Sequence, residues 1–171
     1  EHLQVVAPSD FERLTKMGVI ASMQPTHATS DMYWAGERLG PERVRGAYAW
    51  RTVLDAGGRL ALGSDFPVEG VNPWLAIHAA VTRQDRKDWP EGGWYPDQRL
   101  TLAEAIRGFT KDAAFAAFEE TSRGTIEVGK LADLTIIEGD LFAIPANDLD
   151  DARVLYTVVG GEIVYTSKSS K

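Results

Sequence analysis

The residue types best suited to hold a metal ion or move a proton are few: three histidines, His2, His27 and His78, and one well-placed aspartate, Asp65. Asp65 closes a short apolar run, in Gly63-Ser64-Asp65-Phe66-Pro67. A carboxylate at the C-terminal tip of a parallel strand is a place for metal binding or proton transfer. Aspartate also caps turns, and spacing alone leaves both readings open. His27 falls in the polar stretch Thr26-His27-Ala28-Thr29-Ser30-Asp31-Met32 just after a strand, where it either faces a substrate or caps backbone groups. His78 sits inside Trp74-Leu75-Ala76-Ile77-His78-Ala79-Ala80, an apolar helical pattern, and reads as a packing or surface residue. His2, beside Glu1 at the end of a strand, is unremarkable on its own. With no cysteine, disulfides and thiolate metal sites are both excluded.

The elements that must position these groups alternate. A capping box at Ser9-Asp10-Phe11-Glu12 predicts a short helix to Met17, stopped by Gly18. Val19 to Met23 is a strand that ends at Gln24-Pro25, and a long polar loop is expected from there towards Gly40. Pro41 suits the first turn of a helix to about Ala56, closed by Gly57-Gly58. Arg59 to Gly63 is the next strand, and Asn72-Pro73 opens a helix to about Thr82. This order of helix and strand with short junctions predicts parallel strands in an α/β fold. The Trp-, Gly- and Pro-rich stretch 84–98 reads as an ordered surface loop, and its Trp89, Trp94 and Tyr95 line an entrance, meet another subunit or simply pack. A second capping box, Thr101 to Glu104, starts a helix to Phe109, followed by another over Lys111 to Glu119.

After Thr121 the pattern changes. Gly124 to Gly129 and Ala132 to Ile137 read as short strands, and Val154 to Val159, Gly160-Gly161 and Glu162 to Tyr165 as a hairpin. An antiparallel β unit is expected from about 123, ending in a frayed tail, Thr166 to Lys171.

Composition narrows the function classes. A net charge of −7 with scattered basic residues gives nucleic acid no phosphate-binding face, and no apolar run reaches the length of a membrane span. No glycine-rich phosphate loop follows either strand, which disfavours a nucleotide-binding domain. The absent cysteines fit a cytoplasmic protein. The chain opens on Glu1-His2 without a methionine, so its start reads as internal and a signal peptide cannot be assessed.

Several segments in order resemble amidohydrolase family 3, in particular its YtcJ-like branch, which includes N-substituted formamide deformylases. They are Glu1-His2 with the capped helix behind it, Ala21 to Met32, Arg45-Gly46-Ala47-Tyr48-Ala49-Trp50-Arg51, Gly63 to Val68, Ala80-Val81-Thr82-Arg83-Gln84-Asp85 and Gly129-Lys130-Leu131-Ala132-Asp133-Leu134. The resemblance implies the C-terminal part of a TIM-type (β/α)8 barrel: the end of strand six at His2, strand seven over Val19–Gln24 and strand eight over Leu60–Asp65. Residues 1–122 would be the barrel part, and 123–171 the C-terminal share of a composite β-sandwich.

The resemblance further implies zinc, or one or two divalent metals, with His2 and Asp65 as metal ligands and Asp65 as the catalytic proton carrier. His27 and Asp31 become substrate-contact candidates, while Lys130 and Asp133 belong to a structural turn. The reaction implied is hydrolysis of a C–N bond in a small amide or formamide. The family's His-x-His pair, its strand-four ligand and its strand-five histidine have no counterpart here. Two ligands fall short of the three that catalytic zinc normally takes. This chain alone is therefore expected to be inactive, completed by an N-terminal barrel portion or by self-association. The alternative is a non-catalytic assembly segment.

Overall fold

In the computed structural model, which describes residues 1–168, two short strands form the frame of the first part. Strand β1 (Ile20–Met23) and strand β2 (Arg59–Leu62) pair in parallel, in register from Ile20↔Arg59 to Met23↔Leu62. Ala21, Met23, Leu60, Ala61 and Leu62 are buried, as expected of parallel strands covered by helices. Around them lie α1 (Phe11–Lys16), α2 (Pro25–Arg43), α3 (Trp50–Asp55), α4 (Pro73–Thr82), α5 (Leu102–Phe109) and α6 (Lys111–Ala116). Helix α5 comes so close to β2 that a Cβ on Gly108 would lie 2.7 Å from Leu62 Cγ.

The second part is an antiparallel sheet of β3 (Leu134–Ile137), β4 (Val154–Val159) and β5 (Glu162–Thr166), in that spatial order. Gly160 and Gly161, at φ 58° and 86°, make the tight turn between β4 and β5 that the sequence predicts. Thr166 belongs to β5 rather than to a tail, and residues 169–171 of the expected tail lie outside the described residues. The class is α/β, as expected.

Several helix ends follow the sequence closely. The Asn72 side chain accepts from Trp74 N at 3.1 Å and caps α4. At α5, Thr101 and Glu104 form the reciprocal capping box, which satisfies amides that the helix itself leaves free.

Four expectations need correction. The stretch after β1 is not a loop but the 19-residue helix α2, kinked at Gly40. Pro25 occupies its first turn, and Ala28, Met32 and Ala35 bury one stripe of it. That burial outweighs the poor helix propensity of the threonines, Ser30 and Asp31. Second, the helix expected over 41–56 breaks at 44–49. There Val6 N donates to Gly46 O at 2.9 Å, Val5 bridges Ala47, and Tyr48 takes a left-handed φ of 50°. Third, the Ser9–Glu12 box does not form: Pro8 starts a 3-10 turn over Pro8–Asp10, and Glu12 pairs with Lys16 at 3.1 Å instead. Fourth, 124–129 is an irregular turn with Gly124 and Gly129 at positive φ, not a strand. In addition, α6 ends at Ala116.

Candidate metal centre

The parallel strands end at the same level, since Gly63 N donates to Met23 O at 3.1 Å just beyond the last paired residues. Each strand then delivers polar residues: Gln24 from β1, and Ser64 and Asp65 from β2. The direction of β1 also sets the start of α2, so His27, in the first turn of that helix, stands over the strand tips. The N-terminal segment brings in His2. Thus groups that are 25 and 38 residues apart in sequence meet at one end of the sheet.

One ligand atom from each of His2, His27 and Asp65 lies within 4.8 Å of the others, and among the described residues this is the group whose geometry suits a metal ion. The imidazoles of His2 and His27 have ring centroids 5.6 Å apart, and His27 Nε2 is 3.8 Å from Asp65 Oδ2. His27 is buried, and neither of its ring nitrogens has a hydrogen-bond partner. Buried polar atoms without partners are uncommon and call for an explanation. Asp65 is partly open to solvent, with a left-handed φ of 57°. Aspartate tolerates that region better than most residues, and here it turns the carboxylate towards His27.

The His2 ring has a defined orientation. Its Nδ1 lies 2.9 Å from Gln24 Oε1, so Nδ1–H is the donor and Nε2 keeps its lone pair free. A hydrogen bond from the far ring nitrogen is how metal-binding histidines are usually oriented. Sequence reasoning treated Gln24 only as the end of a strand. The available signal was a polar residue closing an apolar strand, the same feature that singled out Asp65.

Asp31, one turn beyond His27, is not among the clustered ligands. Its carboxylate instead accepts from the Tyr48 hydroxyl. Burial, reinforced by Asp31, pushes the Tyr48 phenol well above its ordinary pKa, so it stays a donor. Ser30 donates to Glu69 at 2.7 Å, joining α2 to the segment that follows Asp65. His78 is buried in α4, its Nε2 3.8 Å from Asp88 Oδ1, in keeping with a packing role. Lys130 donates to Glu120 O at 2.8 Å, and Asp133 accepts from Gly160 N at 2.8 Å.

The donor set fits a divalent ion such as zinc: two imidazoles and one carboxylate, with a solvent-open side. Catalytic zinc commonly takes three such ligands at about 2.0–2.2 Å and leaves a position for water. The ring nitrogens of His27, neither of them hydrogen-bonded, offer the ion an unused donor.

Known proteins carry the same arrangement of segments. The model of the amidohydrolase family matches residues 1–165. Over 164 residues the chain is 37% identical to the putative amidohydrolase YtcJ of Bacillus subtilis (strain 168), covering 96% of this chain and 31% of that protein. Over 174 residues it is 28% identical to the N-substituted formamide deformylase of Arthrobacter pascens, covering 99% of this chain and 31% of the relative. The crystal structure of an uncharacterized metal-dependent hydrolase from Pyrococcus horikoshii OT3 superposes with a TM-score of 0.75 at 29% identity, over 85% of this chain and 29% of that one. The chain therefore spans less than a third of the length of each of these proteins. With residues 1–165, nearly its whole length, matched by the family model, the chain belongs to the amidohydrolase family.

Proposed function

We propose that this chain forms the C-terminal part of a metal-dependent hydrolase of C–N bonds in small amides or formamides. In this reading His2 ends barrel strand six, β1 is strand seven, β2 is strand eight, and residues 123–171 contribute to a composite β-sandwich. The observation that carries it is the cluster of His2, His27 and Asp65, with both nitrogens of His27 buried and unpaired. The printed name of the Arthrobacter pascens relative, an N-substituted formamide deformylase, supports the choice of bond.

His2 and His27 would hold the ion through their ring nitrogens, with Asp65 as the third ligand. A bound divalent ion supplies acidity to water, lowering its pKa towards ~7. The chain's own residues do the rest. Gln24 keeps the His2 lone pair directed at the site. Asp65, the most solvent-exposed member of the three, accepts the proton of the attacking water and passes it to the departing nitrogen. His27 is walled off from water, which keeps its lone pair available.

The ligand count differs from the sequence expectation. Two ligands, His2 and Asp65, were read from the resemblance, with His27 given to substrate; the geometry favours His27 as a third donor. Any further ligand, and the rest of the substrate pocket, would come from the remaining two-thirds of a protein the size of the relatives.

The test is hydrolysis of simple N-substituted formamides and N-acyl amines by the intact protein, before and after metal removal with a chelator. Activity that disappears with the metal and returns with added zinc supports the proposal. Turnover indifferent to metal removal overturns it.

A further inference from the structure

Two of the segments that resemble the family, Arg45 to Arg51 and Ala80 to Asp85, supply no member of the metal-ligand cluster. In the structure they interlock. Arg83 ends α4 in a left-handed conformation and is fully buried. Its guanidinium lies 4.3 Å from the ring centre of Trp50 and 4.9 Å from that of Trp94. It donates from Nη1 to Tyr48 O at 2.8 Å and from Nε to Trp94 O at 2.7 Å. Among the described residues no carboxylate pairs with it. Burial lowers its pKa to about 9, which still leaves it charged at neutral pH. A buried cation is costly unless its hydrogen bonds and aromatic contacts compensate, and here those contacts converge on Tyr48 and its neighbours.

Tyr48 is buried, with φ 50°. It touches neither imidazole of the cluster, yet it is bonded to both segments that carry them. Its N–H donates to Gln4 O at 2.8 Å, two residues beyond His2. Its hydroxyl donates to Asp31, one helical turn beyond His27. The fit beside it is tight: a Cβ on Gly46 would lie 1.9 Å from Val6 O, so only glycine lets the His2 segment dock there.

We propose that Tyr48, clamped by Arg83, is a positioning residue of the metal centre that sets the separation between His2 and His27. The inference rests on the metal reading given above. Its physical basis is that ligand atoms must be held within about 0.5 Å of productive geometry. Loss of a direct hydrogen-bond partner of a metal ligand typically weakens binding 10–100-fold, and Tyr48 acts one bond further out, so the low end of that range is the expected effect.

The experiment compares wild type, Tyr48→Phe, Arg83→Lys and a control, Tyr33→Phe, in the intact protein. Tyr33 lies on the same helix α2 and donates to Asp85, but on an exposed surface, so its loss reports generic loosening of the helix. Tyr48→Phe keeps the ring and both backbone bonds and removes the bond to Asp31. Zinc affinity is read by competition with a chromophoric chelator, and amide hydrogen exchange is read in metal-free protein.

Tyr48→Phe is expected to bind zinc about tenfold more weakly and to exchange faster over residues 25–31. Its exchange over the β4–β5 hairpin should be unchanged. Arg83→Lys should act in the same direction, and Tyr33→Phe should match wild type. Unchanged zinc affinity in Tyr48→Phe, or an equal loss in Tyr33→Phe, overturns the inference while leaving the metal reading intact. An intact wild-type protein that binds no zinc counts against the metal reading instead. The exchange data then decide the positioning role, and an unaltered 25–31 segment in Tyr48→Phe rejects it.

Discussion

The two ends of the parallel pair treat their ionisable groups in opposite ways. At the end where β2 begins, five charged side chains pair closely. Arg59 and Arg107 each reach the buried Asp112 at 2.9 Å, and Arg51 pairs with Glu104 through its two terminal guanidinium nitrogens. At the end where the strands stop, the His27 ring has no hydrogen bond, and its nearest carboxylate, Asp65, is 3.8 Å away. Saturated ion pairs hold neighbouring elements together; unsaturated ligand atoms wait for something else. Parallel α/β folds place chemistry at the C-terminal ends of their strands and leave stability to the other face, and this molecule keeps to that division.

The sharpest way to break the comparison is Asp65→Asn in the intact protein. Turnover should fall by about 10²–10⁴-fold, the usual worth of a general acid–base group, while the unfolding midpoint stays put. A variant with full activity would remove Asp65 from the mechanism and make the two ends equivalent.

The opposite result is expected of Asp112→Ala. Removing this buried carboxylate leaves two arginines that are partly exposed and can turn to water, so the loss should be about 1–3 kcal/mol in urea unfolding. Zinc affinity should not change. A large drop in affinity would show that the paired end shapes the metal end after all.

A smaller effect falls on Gln24. Gln24→Ala frees the His2 ring to rotate and should weaken zinc binding about tenfold, measured by chelator competition. Equal affinity would mean that the His2–Gln24 bond orients nothing.

The smallest effect is tied to pH. The Arg51 guanidinium holds the Glu104 carboxyl at about 2, from an ordinary 4.5. Because its folded pKa is depressed, Glu104 contributes stability that is fully present above the unfolded value. That contribution is lost as pH falls from about 4.5 towards about 2. Glu104→Gln should therefore flatten the acid limb of the stability profile, with less than about 1 kcal/mol lost at neutral pH for so exposed a pair. An unchanged acid limb would discount this pair as a source of stability.

Much of this was readable before any coordinates. Asn72-Pro73 and Thr101 to Glu104 are local devices, each closed by groups within three residues, and they form where the sequence puts them. Gly160-Gly161 needs only its own backbone freedom to turn β4 into β5. Where partners are distant, local reading failed. The polar run after β1 lacks helix propensity, and only the burial of Ala28, Met32 and Ala35 against the rest of the fold makes it α2. The break at 44–49 depends on a segment some forty residues earlier, because Val6 N donates to Gly46 O and Gln4 O accepts from Tyr48 N.

The amino-acid sequence alone determined the α/β class and the family resemblance, and it singled out Asp65 as a candidate, because strand periodicity and ordered motifs are properties of the chain itself. The tertiary structure alone decided that His27 rides on a helix into contact with His2 and Asp65, that Gln24 orients the His2 ring, and that Tyr48 and Arg83 tie the surrounding segments together. Such decisions depend on side chains converging from distant parts of the chain, and spacing along a sequence carries no measure of distance in space.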